Sequence, residues 1–519
     1  MIAGVVGLTL LGAAVRWRFL DQPMRYDEAY NYLNFCSRSP GYIVTHYVPN
    51  NHVLHTLMVW AVSRVFGTSP AALRLPAFVA GVLLIPATAW FGWKLTRSRA
   101  VALLSALAIC GSSALIEYST NARGYSWLTL FTVLATGLTL HLIATPHRRG
   151  LCMAWGIVGA LGAFTAPLMV YPVAGLTAAI LLAAWVVAGQ GAQRKETIRG
   201  LTIGLGVCGL LTTGLYFPIV ITEGVRKLVG TGQMAYDILG AQISTFGGML
   251  ASTWALWTRD AGIVWSVFLV AGCGVFAVRT VRDRSGWGLV PVVAVVTSVA
   301  LAGLMRAPLP ARAWVMLFPM VLVCAVAGMS SLCAESVRSG ARAPIRRRTI
   351  MRRRSEPGAE ATGHAPRATA WGSDSSLRNH AELFEGALVR VALASIVSLP
   401  LFTVLRRSYL CAEPGGLVEV EQAVEECKAR GSERCALVSR YTPATRYYLG
   451  QKGIPSLSLP TSPYTERVYI VGDGNRSLEQ LWHNGVEGFE AYAPPRLWRE
   501  LTQSDVYVAK RLPVQASAQ

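Results

Sequence analysis

Long apolar runs separated by short polar breaks fill most of residues 1–405. Each run is close to the roughly 20 residues that a helix needs to cross a bilayer. Eleven are read, at 2–18, 72–93, 100–117, 124–143, 151–166, 171–189, 200–221, 261–279, 287–305, 313–333 and 386–405. The first lacks a basic start and ends in Arg16 and Arg18 rather than at a small-residue cleavage site, so it reads as a helix and not as a signal peptide. After Arg406 the pattern changes. Val418 to Arg430 reads as an amphipathic helix, Cys435 to Ser439 as a strand, and Thr442 to Gly450 as a helix opened by Thr442-Pro443. Arg467 to Val471 and Val506 to Ala509 are further strands, and Gly472-Asp473-Gly474 is a turn. The predicted fold class is therefore a polytopic α-helical membrane protein with a small C-terminal α/β domain.

Composition agrees with a membrane protein. The 519 residues are 53% hydrophobic and only 15% charged, against about 25% charged in soluble domains. Mean hydropathy is +0.41. Basic residues mark alternate breaks: Lys94, Arg97 and Arg99; Arg148 and Arg149; Arg194, Lys195 and Arg199; Arg279, Arg282 and Arg284. The excess of Lys and Arg on cytoplasmic loops puts all of these inside, and with them the basic insert at 335–385, whose composition predicts disorder against the anionic leaflet. The chain thus divides into a membrane block at 1–334 with a first outer loop at 19–71, the insert, a last span at 386–405, and an outer domain at 406–519. The tail from Arg406 holds 14 Lys or Arg and 13 Asp or Glu, which leaves +19 of the net +20 to residues 1–405. That distribution follows topology and excludes a nucleic-acid footprint.

Chemistry concentrates in the outer breaks. Asp27 and Glu28, in Arg25-Tyr-Asp-Glu-Ala-Tyr30, follow the first span. Paired carboxylates where a bundle meets water suggest a functional site, although Asp27 could equally cap a short helix whose dipole favours Glu28. His52 and His55 are three apart, and His46 lies nearby; two histidines without a third ligand do not indicate a divalent metal. Glu117 could face Asp27 or pair with Arg123. Arg306 and Arg312 occupy a short outer break, and Arg226 and Lys227 another. Six of the ten cysteines, Cys110, Cys152, Cys208, Cys273, Cys324 and Cys333, read as packing residues in or beside apolar runs. Cys36 lies in the first outer loop; an exterior disulfide could join Cys427 to Cys435 or to Cys411.

Several of these segments carry a resemblance. After the acidic pair come Val48-Pro-Asn-Asn-His-Val-Leu-His55, Phe66-Gly-Thr-Ser-Pro-Ala-Ala-Leu-Arg-Leu-Pro76 and Glu117-Tyr-Ser-Thr-Asn-Ala-Arg-Gly-Tyr125. In this order and spacing they resemble GT-C membrane glycosyltransferases, above all the family of protein O-mannosyltransferases and lipid A aminoarabinose transferases. One departure is His52-Val-Leu where that family often has His-Pro-Pro. The resemblance implies an integral protein of a bacterial inner membrane with its site outside. It implies transfer of a sugar, with inversion, from a polyprenyl-phosphate carrier to a lipid, glycan or protein hydroxyl, and no certain cofactor. Asp27 would be the general base or an orienting carboxylate, with Glu28 second. Arg123 and Arg312, with Arg25, His52, His55, Tyr125 and Glu117, would hold donor sugar and phosphate. The competing readings are a transporter or flippase and a non-catalytic scaffold of the same fold.

Overall fold

The computed structural model describes residues 1–186, 191–225, 246–283, 286–305, 309–341 and 391–407. In the tail it describes 429, 435–439, 447, 448, 451, 467–473, 496–500 and 504–510. Seven described helices are long and apolar enough to cross a membrane: Pro70–Thr96, Tyr125–Ala144, Pro167–Val186, Ala192–Glu223, Gly262–Arg282, Gly286–Leu304 and Ala311–Leu332. Arg99–Gly111 and Ser113–Ser119 make an eighth if they are one span bent by 64°.

This count differs from the eleven expected. At two of the other three positions the helices are shorter, Ile2–Trp17 and Arg149–Thr165; at the third the described helix is Val391–Leu405, with 386–390 outside the described residues. Ile2–Trp17 has 16 residues. At 1.5 Å per residue it reaches about 24 Å, short of a hydrocarbon core of about 30 Å. Another apolar helix, Val53–Phe66, was not foreseen inside the first outer loop.

Helix ends follow local chemistry. Ser69 accepts from the Ala72 amide and Pro70 opens the helix behind it, which closes 27 residues later at Arg97 in left-handed conformation. Within Tyr125–Ala144, the hydroxyls of Thr129, Thr132, Thr136 and Thr139 donate to carbonyls four residues back. Their polarity is thereby hidden from the apolar surroundings. Small residues let helices close in. A Cβ on Gly328 would stand 1.9 Å from the Gly272 carbonyl oxygen, so Gly262–Arg282 and the helix from Phe318 touch backbone to backbone.

Four strands form one sheet in the order β1-β2-β4-β3: β1 is Cys435–Ser439, β2 Arg467–Asp473, β3 Arg496–Glu500 and β4 Ser504–Lys510. β1 and β2 are parallel; β4 runs antiparallel to both β2 and β3. β3 had no counterpart among the expected strands. Of the expected tail helices, Tyr447 and Tyr448 are helical and most of the rest lies outside the described residues. Residues 335–341 of the basic insert, expected to be disordered, continue the helix Phe318–Ala341, whereas 342–385, Arg226, Lys227, Arg306, Cys411 and Cys427 lie outside the described residues, as does the side chain of Cys435. Cys36, Cys110, Cys152, Cys208, Cys273 and Cys324 are free thiols.

Candidate active site

The acidic pair opens a short helix, Tyr26–Asn31, and its two members take opposite fates. Glu28 turns inward and is wholly buried. Its Oε2 accepts from the Arg25 amide at 2.9 Å, capping the helix, and its Oε1 accepts from the Ala122 amide at 2.6 Å. Arg74, also wholly buried, donates to both oxygens, at 2.8 and 2.6 Å. The same guanidinium reaches the carbonyls of Leu20 at 2.8 Å, Gln22 at 2.5 Å and Pro23 at 2.9 Å. Burial alone would raise the Glu28 carboxyl; Arg74 and then Arg25 hold it below its ordinary 4.5. The capping reading thus falls to Glu28, which has no oxygen facing an open cleft.

Asp27 faces the other way, about one third exposed, with Arg123 Nη1 at 3.0 Å and Arg312 Nη1 at 3.2 Å from Oδ2. Arg123 sits in the tight turn after Ser113–Ser119, where its amide donates to the Asn121 carbonyl at 2.6 Å. Arg312 stands in the 3-10 turn Ala311–Leu317 that enters a late span. His52 precedes the first turn of Val53–Phe66 and packs behind Arg123. The Gly124 amide donates to Nδ1 at 3.0 Å and Arg123 Nη2 lies 3.3 Å from Nε2. A Cβ on Gly124 would meet that Nδ1 at 2.7 Å, so glycine is needed there. Tyr125 stands edge-on to His52 at 4.9 Å and under the Arg123 guanidinium at 5.5 Å.

With the Gly124 amide donating to Nδ1, the neutral His52 ring keeps its hydrogen on Nε2, and Arg123 stands against that edge without donating to it. Burial first and Arg123 second push the ring well below its ordinary 6.5, and burial pushes His55, one turn on, down to about 3. These shifts predict two stages of acid destabilisation. Below pH 6.5 the unfolded chain binds protons that the folded histidines refuse. Below pH 4.5 the unfolded chain protonates a carboxyl that folded Glu28 keeps ionised. Each group contributes up to about 1.4 kcal/mol per pH unit across its window. Melting followed from pH 8 to pH 3.5 checks this, and His52→Gln removes part of the first stage only.

Glu117 neither faces Asp27 nor pairs with Arg123. It takes Arg25 Nη1 at 3.2 Å and Arg259 Nη1 at 2.5 Å. Arg259 also donates to Ser113 Oγ at 2.5 Å, and Asp260 accepts from the Ser113 amide and pairs with Arg407 at 3.5 Å. Arg74 and Arg259 are the two cations that site reasoning from sequence missed. The signal for Arg74 was an arginine one turn inside an apolar helix, which needs a buried partner. For Arg259 it was Arg-Asp at the break between apolar runs. His46 stacks on Tyr42 at 3.9 Å and takes no part in the cluster. Among the described residues no three His, Cys, Asp or Glu side chains gather to hold a metal ion.

The site thus assembles side chains from five connections, around 25–28, 52, 117–125, 259–260 and 312. No protein-family model and no curated protein sequence matches the chain. Solved structures do. The apo structure of ArnT from Cupriavidus metallidurans is similar at TM-score 0.55 and 11% identity over 98% of each chain. The structure of that protein bound to undecaprenyl phosphate gives 0.53 and 12%, over all of both chains. The Archaeoglobus fulgidus oligosaccharyltransferase tethered with an acceptor peptide gives 0.54 and 14%, over 98% of this chain and 73% of that one. The fold is GT-C. Asp27 itself lies in the connection after the first helix, Ile2–Trp17.

Proposed function

We propose that this chain is an inverting glycosyltransferase that moves a sugar from a polyprenyl-phosphate carrier to an acceptor hydroxyl outside the cytoplasm. The observation that carries this reading is Asp27, a partly exposed carboxylate clamped by Arg123 and Arg312 in a GT-C fold. The acceptor oxygen attacks the anomeric carbon while Asp27 takes its proton, and the bond from that carbon to the phosphate oxygen breaks. The electron pair leaves on the carrier phosphate, where the guanidinium forks of Arg123 and Arg312 meet the growing charge. Arg25 and Arg259, sharing one carboxylate, leave a second net positive charge close by. Glu28 acts through Arg74 as a positioning residue, and His52 and Tyr125 orient Arg123. Donor sugar and acceptor are set by surfaces around this cluster.

Membrane placement follows the same reading: eleven crossings, with the short helices completed by their polar flanks, and the 335–385 insert inside. Asp27, Arg123 and Arg312, with Arg25, His52 and Arg259, come from breaks that the charge pattern assigns to the outside, which supports that orientation. The tail with its sheet then belongs outside as an α/β domain.

Native mass spectrometry of the protein extracted gently from membranes tests the carrier. A polyprenyl phosphate or its sugar adduct is expected on the wild type, and on Arg123→Ala/Arg312→Ala its occupancy should fall at least tenfold. Wild-type protein that stays empty when supplied with undecaprenyl phosphate would refute the reading.

A further inference from the structure

The acidic helix is held from its far side by the tail. Tyr448 is buried, and its hydroxyl accepts from the Met24 amide at 2.8 Å across 424 positions of sequence. Tyr447 is buried beside it, stands edge-on to Tyr32 at 5.6 Å, and donates its hydroxyl to the Thr68 carbonyl. Gln451 Nε2 reaches Thr68 Oγ1 at 2.8 Å. These contacts flank Arg74 on both sides: Pro23 and Met24 border one side, and Thr68 precedes the helix that carries it. Burial is the main reason the Tyr447 phenol is raised above its ordinary value, so it stays a neutral donor.

We propose that Tyr448 is a positioning residue for Asp27, and that Tyr447, Tyr448 and Gln451 form a latch by which the outer domain sets the active-site loop. The connection runs through polar contacts. Tyr448 fixes the Met24 amide, and the neighbouring Pro23 carbonyl fixes Arg74 at 2.9 Å. Arg74 fixes Glu28, and Glu28 caps the helix whose second residue is Asp27. Without the latch, the segment from Leu20 to Arg25 loses the hydrogen bond from the Met24 amide to the tail, and the Asp27 carboxylate spends less time between Arg123 and Arg312. The sign of the consequence is informative. Asp27 competes with a lipid phosphate for those two guanidinium groups, so loosening it strengthens phosphate binding, whereas general damage to the fold weakens it.

This inference rests on the function proposed above, and its test separates the two. In full-length protein in lipid nanodiscs, Tyr448→Phe keeps the ring and removes the acceptor of the Met24 amide. Hydrogen exchange over residues 20–31 should then quicken at least tenfold, with Tyr125–Ala144 unchanged, and undecaprenyl phosphate should bind about threefold more tightly. Tyr447→Phe, which breaks only the tie to Thr68, should quicken exchange around residues 67–69 and leave 20–31 nearly unaffected. Unchanged exchange at 20–31 in Tyr448→Phe overturns the latch, and so does faster exchange with weaker lipid binding, the mark of a purely structural role. Exchange needs no ligand. Failure of the wild type to bind undecaprenyl phosphate would therefore remove the proposed function while the latch is still judged on exchange.

Discussion

Asp27→Asn is expected to abolish sugar transfer to a hydroxyl acceptor while leaving the protein folded. Asparagine keeps the shape of the side chain but cannot take a proton, and loss of a positioned general base costs on the order of a hundred- to ten-thousand-fold in rate. The fold should survive because Asp27 is about one third exposed and its two arginines keep other contacts. Arg123 retains His52, and Arg312 remains beside Tyr125. A second, opposite effect accompanies the first. Removing a carboxylate about 3 Å from two guanidinium groups frees them for phosphate, so undecaprenyl phosphate should bind about tenfold more tightly, equivalent to about 1.4 kcal/mol. A mutant that binds carrier better and turns over less separates chemistry from binding, because uniform binding and transition-state stabilisation respond differently. The measurement is paired: carrier affinity by native mass spectrometry, and loss of the sugar mass from the loaded carrier over time. Near-normal turnover in Asp27→Asn removes Asp27 from the mechanism.

How much of this was legible in the sequence depends on the kind of signal. The Asp27, Arg123 and Arg312 cluster was legible because charged side chains at the ends of apolar runs are few and each demands a reason. Their mutual pairing was not, since contacts across 96 and 285 positions leave no periodicity. Glu117 shows the limit well: an arginine six residues away was the natural partner on paper, yet the 64° break at Ser112 turns it toward Arg25 and Arg259. Strands β1, β2 and β4 were legible in their Val, Ile and Tyr content. β3, Arg496-Leu-Trp-Arg-Glu500, was not, because it is defined by its antiparallel pairing to β4 and carries an irregularity between Leu497 and Arg499. Hydropathy did not show that the helices at two expected spans, Ile2–Trp17 and Arg149–Thr165, have only 16 and 17 residues. A window of about 20 residues averages over polar ends, and Ile2–Trp17 stops as a helix at Trp17, just short of Arg18.

Arg74 makes the stronger demand on stability. Replacing it with alanine leaves the Glu28 carboxylate fully buried with only the Arg25 and Ala122 amides as donors, and strands the carbonyls of Leu20, Gln22 and Pro23. Breaking a buried pair by removing one partner costs about 3–5 kcal/mol, a large part of the roughly 5–15 kcal/mol that holds a typical domain folded. The damage should begin locally. The carbonyls of Leu20, Gln22 and Pro23 and the Glu28 carboxylate all converge on this one guanidinium, while the packed helices behind it are held by apolar contacts. Arg74→Ala should therefore expose residues 19–31 to proteolysis and exchange before the helices melt, and lose carrier-dependent transfer with Asp27 still in place. Arg74→Met combined with Glu28→Gln should recover much of the stability, because no uncompensated charge is then buried, but not the transfer, because the Asp27 helix has lost its anchor. Recovery of both in the double variant would show that the pair serves stability alone. Recovery of stability without transfer ties the buried Arg74–Glu28 pair to the placement of Asp27.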